Sequence, residues 1–180
     1  NTRERAQFSD SFKMVNPLRQ VPVLELDDGT FVSESMAICR YLEELHPEPA
    51  LFGGDATEKA LVEMWSRRAE FVGYLSAADM LRNSSPAFED RGLPGVPGGV
   101  PQIAELVERG RNSMGRFFAL FDDRLGAAKF IAGDAFSVAD ITTFVTIRFA
   151  ARVDVEPPAE CTNVVRWLKE VESRPSAAAV

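Results

Sequence analysis

Only one stretch of this chain, residues 18–33, carries a strand pattern, and that single hairpin limits every architecture open to the rest. In Val23-Leu24-Glu25-Leu26 apolar and acidic residues begin to alternate, Asp27-Asp28-Gly29 follows, and Thr30-Phe31-Val32-Ser33 resumes the run. Asp-Gly between two β-prone runs predicts a type I′ hairpin turn, because glycine accepts φ > 0 without steric cost. A helix comes next. Ala37, Ile38, Tyr41, Leu42 and Leu45 fall on one stripe with Arg40, Glu43 and Glu44 opposite, and His46-Pro47 and Pro49 stop it. One hairpin and one helix make too little sheet to stand alone. Residues 1–17, helix-like or irregular, supply no third strand, so the sequence is expected to start inside a domain whose first β-α-β segment precedes it.

Beyond a Pro- and Gly-rich stretch at 47–54 the periodicity is helical throughout. Thr57, Lys59 and Ala60 open a helix predicted to run to about Leu81, with Leu61, Trp65, Val72 and Leu75 recurring on it. Residues 84–101, with Gly92-Leu93-Pro94-Gly95-Val96-Pro97-Gly98-Gly99, cannot be helical. Ile103, Val107, Gly110, Met114, Phe117, Phe121 and Leu125 then repeat at four and three, and two further helices are predicted at about 137–151 and 161–173. The expected organisation is a mixed unit at 1–46, a linker at 47–54 and an all-helical unit at 55–180.

Composition narrows the function. Asp plus Glu outnumber Lys plus Arg by 27 to 20 in 180 residues, a net charge of −7, which repels phosphate backbones and anionic lipid. Nucleic acid and membrane are therefore not expected as partners. Two cysteines and one histidine are too few for a disulfide framework or a zinc site, so no metal is expected. No apolar run approaches the roughly 18 residues that span a bilayer, and a reduced cytoplasmic protein is the default. Cys39 and Cys161 read as buried, inert thiols inside helices, and His46 as a helix-end residue rather than a catalyst.

Three motifs stand out. Asn16-Pro17-Leu18-Arg19-Gln20-Val21-Pro22-Val23-Leu24 places a proline at the start of a strand. A cis bond there would turn the Val21 backbone outward to receive an extended peptide, although an edge strand that begins with proline is the commoner explanation of Pro22 alone. Ser33-Glu34-Ser35-Met36-Ala37-Ile38 sets a hydroxyl and a carboxylate at a helix mouth, which suits the α-amino-acid end of a ligand but equally fits plain capping by Ser35. Phe136-Ser137-Val138-Ala139-Asp140-Ile141 is a capping box with a hydrophobic staple, and specifies fold rather than activity.

In this order, proline-initiated strand, Asp-Gly hairpin, Glu-Ser helix start, Pro-rich linker, helical unit and capping box resemble the cytosolic glutathione transferase family over all 180 residues. Gln7-Phe8-Ser9-Asp10-Ser11-Phe12 ahead of Asn16-Pro17 is similar to the theta class and its bacterial relatives. The resemblance implies an α/β plus all-α fold: a partial thioredoxin-like N-terminal domain followed by an all-helical C-terminal domain. It implies that Pro22 is a cis-proline and that the Val21 backbone pairs with the cysteinyl part of glutathione. Glu34 and Ser35 would hold the γ-glutamyl end, with Gln20 and Gln7 near the glycine end. The thiolate-stabilising Ser, Tyr or Cys would lie ahead of residue 1, so no catalytic residue is named. The implied activity is attack of the glutathione thiolate on a hydrophobic electrophile. Met80, Phe117, Phe118 and Phe121 are possible lining or, more commonly at helical spacing, core. The family also implies a homodimer, with Trp65, Arg68 and Phe71 as candidate contacts. A non-catalytic interaction protein of the same fold, or a glutathione-dependent isomerase, dehalogenase or disulfide reductase, would carry the same motifs.

Overall fold

The hairpin forms where the alternation places it. In the computed structural model, which describes residues 4–179, β1 (Val23–Glu25) and β2 (Phe31–Ser33) pair antiparallel, Val23 opposite Ser33 and Glu25 opposite Phe31. Residues 1–3 of the mixed unit and residue 180 of the helical one lie outside the described residues. The turn departs from the expected type I′ pair. Leu26 N–H donates to Thr30 O at 2.8 Å, Gly29 N–H donates to Leu26 O at 2.9 Å, and of the loop residues only Gly29 has positive φ, +82°. A type I′ turn needs φ > 0 at two successive residues, so this is a three-residue loop closed by a left-handed glycine. Thr30 N–H donates to Asp28 Oδ1 at 2.9 Å, which favours the longer loop and holds that carboxyl below its ordinary range.

Two helices complete the mixed unit. α1 (Asp10–Val15) starts at Ser9, whose hydroxyl accepts from Phe12 N–H at 3.2 Å. α2 (Ser35–Leu45) follows the hairpin directly. Its Glu43 carboxylate accepts from the backbone N–H groups of Leu51 and Phe52, each at 2.9 Å, while the Arg40 guanidinium lies 4.7 Å from the Phe52 ring. The 47–54 stretch is thus fastened to α2, and Leu51 O accepts from Val138 N–H at 2.9 Å on its other side.

The helix expected over 57–81 runs from Ala56 to Ser84 with an interruption that 3.6-residue periodicity does not reveal. α3 (Ala56–Arg68), capped by Asp55 rather than opened by Thr57, passes into a π-helical segment (Ala69–Tyr74) and then α4 (Leu75–Ser84). Gly73 explains how closely the neighbours approach: a Cβ there would lie 2.6 Å from Thr146 Cγ2 and 2.7 Å from the Phe117 ring. α5 (Ala104–Ala127), α6 (Val138–Ala150) and α7 (Thr162–Glu172) complete the bundle. Residues 85–103 are irregular apart from a 3₁₀ turn at Pro86–Phe88 and an Arg91–Val100 bridge, as their prolines and glycines require.

The core lies where α5 crosses α3 and α4. Met114, Phe117, Phe118 and Phe121 are at most 2 % exposed, as is Met80, so this set is packing and not lining. Trp65, offered above as an interface residue, is also core: it is 7 % exposed, with its ring edge-on to Phe121 at 5.5 Å. The capping box anchors the central helix. Asp140, fully buried, accepts from Ser137 N–H and Oγ at 3.0 and 3.1 Å, from Ile131 N–H at 3.0 Å and from Trp167 Nε1 at 2.8 Å. The cysteines depart from expectation. Cys39 is exposed, because its face of α2 borders an open cleft instead of packed core, and Cys161 is buried at the mouth of α7 rather than inside a helix.

Candidate functional site

Asn16 builds the edge of the site. It is 3 % exposed; its Oδ1 accepts from Leu18 N–H at 3.0 Å, its C=O from Arg19 N–H at 2.9 Å, and its Nδ2 donates to Gln20 O at 2.9 Å. One buried amide therefore closes the turn 16–20, in which Arg19 takes a left-handed φ of +55° and donates to Phe8 O. An Asn ahead of Pro is a turn signal, and here the side chain mimics the backbone partner the proline cannot supply. The turn delivers Gln20, Val21 and Pro22 to the surface with the Val21–Pro22 peptide bond cis. Among the described residues neither the N–H nor the C=O of Val21 has a hydrogen-bonding partner.

The second wall is the start of α2. Glu34, not Ser35, is the capping position: its φ of +70° swings the chain from β2 into the helix, its C=O accepts from Ile38 N–H, and its side chain makes no cap bond. Ser35 is the first helical residue and its hydroxyl has no partner among the described residues. The first-turn N–H groups of a helix have no acceptor within it and carry the positive end of its dipole. Glu34 and Ser35 are both exposed, so a carboxylate and a hydroxyl stand beside open amide donors.

Between these walls and the bundle lies a cleft of about 420 Å³. It brings together Asn16, Gln20, Val21, Pro22, Glu34 and Ser35 from the mixed unit with Glu70 and Tyr74 from the π segment and Val138, Ile141, Thr142 and Val145 from α6. Met36 and Cys39 complete the lining. Gln7, also expected here, lies outside it; its Oε1 is buried without a partner among the described residues. The bundle's contribution was missed in the sequence. Val138, Ile141, Thr142 and Val145 form an i, i+3, i+4, i+7 stripe, which reads as core until the structure leaves Ile141 and Val145 more than a third exposed to the cleft. Tyr74, stacked on Phe149 at 5.2 Å, and Glu70, 2.7 Å from Arg67 Nη1, belong to the π segment, a kind of irregularity that frequently accompanies functional sites. No group of three or more His, Cys, Asp or Glu among the described residues is placed to hold a metal ion.

A thioredoxin-like unit joined to an all-helical one, with a cleft between them, is the glutathione S-transferase fold. Residues 1–45 match the family model "Glutathione S-transferase, N-terminal domain" and residues 76–175 match "Glutathione S-transferase, C-terminal domain". The chain is 36 % identical over 162 residues to Glutathione S-transferase 2 of Saccharomyces cerevisiae, an alignment covering 87 % of this chain and 64 % of that protein. It is 29 % identical over 169 residues to the maleylacetoacetate isomerase of Rattus norvegicus, covering 93 % of this chain and 71 % of the isomerase. The crystal structure of Gtt2 from Saccharomyces cerevisiae superposes with a TM-score of 0.88 at 32 % identity, over 99 % of this chain and 83 % of that one. This chain belongs to the glutathione S-transferase family.

Proposed function

We propose that the cleft binds glutathione and that the protein conjugates it, through its thiolate, to a hydrophobic electrophile. The observation that carries this reading is the Val21 backbone pair at the cleft's edge, without hydrogen-bonding partners among the described residues and facing a helix mouth that offers Ser35 and Glu34. An extended γ-glutamyl tripeptide satisfies both: its cysteinyl backbone adds to Val21 as a short strand would, and its zwitterionic γ-glutamyl end meets the Ser35 hydroxyl, the first-turn amides of α2 and the Glu34 carboxylate. Gln20 serves the glycine carboxylate as a neutral donor; Gln7, expected at the same end, lies outside the cleft lining. The thiol then faces Tyr74, Ile141 and Val145, an apolar wall suited to a hydrophobic acceptor. Its thiolate attacks the electrophilic carbon, forming the C–S bond as the leaving group departs with the electron pair. We place the mixed unit at 1–46, the linker at 47–54 and the helical unit at 55–180, with a cytoplasmic location.

The exposed Phe71, Leu61, Met64 and Leu75 along α3, the π segment and α4 support pairing of two copies, with Arg68 beside them and Trp65 excluded by burial. Likeness to the rat isomerase supports a second reading, in which glutathione adds to the substrate and is released unchanged after isomerisation. Calorimetric titration tests the binding step. Ser35→Ala should weaken glutathione by about 1–3 kcal/mol through loss of a hydrogen bond to a charged group, and an unchanged affinity would refute the placement. Product analysis separates the two chemistries, since only transfer consumes the thiol.

A further inference from the structure

We propose that the irregular loop between α4 and α5 is a strap that positions Gln20, and that Gly95 on this strap sets how tightly the cleft holds the glycine end of glutathione. The inference rests on the glutathione reading above. Gly95 has φ of +75°, and a Cβ on it would lie 2.3 Å from Leu18 O and 3.4 Å from Gln20 Nε2. The first of these is a backbone atom, so no side-chain rotation relieves the contact. Leu18 cannot yield freely either, because its N–H is held by buried Asn16, which also holds Gln20 O. The absence of a side chain at position 95 is what lets the strap seat on the turn.

The strap is braced well enough to act on what it touches. Asn83 Oδ1 accepts from Ile103 N–H at 2.8 Å, and Gln102 Nε2 donates to Arg82 O and Ser85 O at 2.6 and 2.9 Å, fixing its far end to α4. Gly92 N–H donates to Val100 O and Val100 N–H to Asp90 O, both at 2.9 Å, while the Arg82 and Arg91 guanidiniums each lie about 5 Å from the Phe88 ring, at 5.0 and 5.1 Å. A strap pushed outward at position 95 therefore releases the turn, because its ends do not follow. The Gln20 amide lines the cleft beside Val21 and has no hydrogen-bonding partner among the described residues, so its direction depends on the backbone beneath it. Asn16 fixes that backbone from within, and Gly95 confines it from the bundle side.

The test measures glutathione and γ-glutamylcysteine, which lacks the glycine, on the full-length protein by calorimetry. Gly95→Ala should weaken glutathione about tenfold, the loss of one charge-assisted hydrogen bond, and leave γ-glutamylcysteine within about twofold. Two controls separate positioning from general disruption. Gly98→Ala meets nothing within 4 Å and should alter neither affinity. Gly99→Ala, at φ of +82° and 3.0 Å from Asp90 O, carries a comparable backbone penalty away from the turn, and should lower the melting temperature without discriminating between the ligands. Equal losses for both ligands in Gly95→Ala, or no loss, would overturn the proposal, as would a wild type that binds the two equally. A wild type that binds neither overturns the glutathione reading itself.

Discussion

Asp140 is the position at which two physical accounts of this fold diverge most. It is fully buried, and burial pushes its carboxyl above the ordinary carboxylate range against the opposing pull of its four hydrogen-bond donors. A native value above the unfolded one means that this group's contribution is full below the unfolded value and is lost as pH rises through the native one. Were desolvation the whole story, Asp140→Asn would stabilise the protein at neutral pH. The geometry says otherwise. Both oxygens accept twice, from Ser137 N–H and Oγ on one side and from Ile131 N–H and Trp167 Nε1 on the other, at 2.8–3.1 Å. An asparagine must turn its NH₂ toward one of these pairs, setting donor against donor. Each buried donor left without an acceptor costs about 1–3 kcal/mol, so Asp140→Asn should lose about 2–4 kcal/mol and Asp140→Ala about 3–5 kcal/mol. At about 2–4 °C per kcal/mol for a chain of this size, the alanine variant should melt roughly 6–20 °C lower. Urea titration followed by circular dichroism, with Trp167 fluorescence as a local probe, measures both. An asparagine variant as stable as the wild type would refute the reasoning.

Three further outcomes follow from the packing. Gly73→Val should destabilise by at least about 1–3 kcal/mol in the same titration, because its Cβ alone would overlap Thr146 and Phe117, both fully buried. Asp122 takes the place of a cap for α7, accepting from Asn163 N–H at 2.8 Å and Val164 N–H at 3.0 Å, so Asp122→Ala should cost about 1–2 kcal/mol, and an unchanged midpoint would contradict the capping role. Burial, helped by the nearby Asp122, Glu160 and Asp123, raises the pKa of the Cys161 thiol, whereas Cys39 is exposed. A thiol reagent at pH 8 with peptide mapping should therefore label Cys39 rapidly and Cys161 only on unfolding.

The parts of this molecule that sequence exposes are those written in local chemistry. Asp-Gly marks the hairpin, Ser137 with Asp140 marks the start of α6, and the four-three rhythm from Met114 to Leu125 marks the buried face of α5, because turn, cap and period each act within a few residues. The loop at Gly29 was assigned one residue too short, since the bond from Thr30 N–H to Asp28 that selects the longer form leaves no imprint on composition. The π segment was invisible for a related reason: an extra residue in a turn shifts the period without breaking it. Half of the cleft was legible as the Gln20–Pro22 and Glu34–Ser35 motifs. The α6 wall was not, because an apolar stripe facing a cleft has the same spacing as one facing a core. Trp65 and Cys39 show the same ambiguity in opposite directions, one buried and one exposed against expectation. Asn16 stands in the sequence as part of a turn motif, yet its work in holding Gln20 becomes evident only once its burial and its two side-chain hydrogen bonds are seen.

A crystal structure of the full-length protein grown with glutathione tests the central claim most directly. Density for the tripeptide should show its cysteinyl N–H and C=O bonded to the Val21 backbone and its γ-glutamyl carboxylate on Ser35. Glutathione bound elsewhere, or an empty cleft at saturating ligand, would contradict the account.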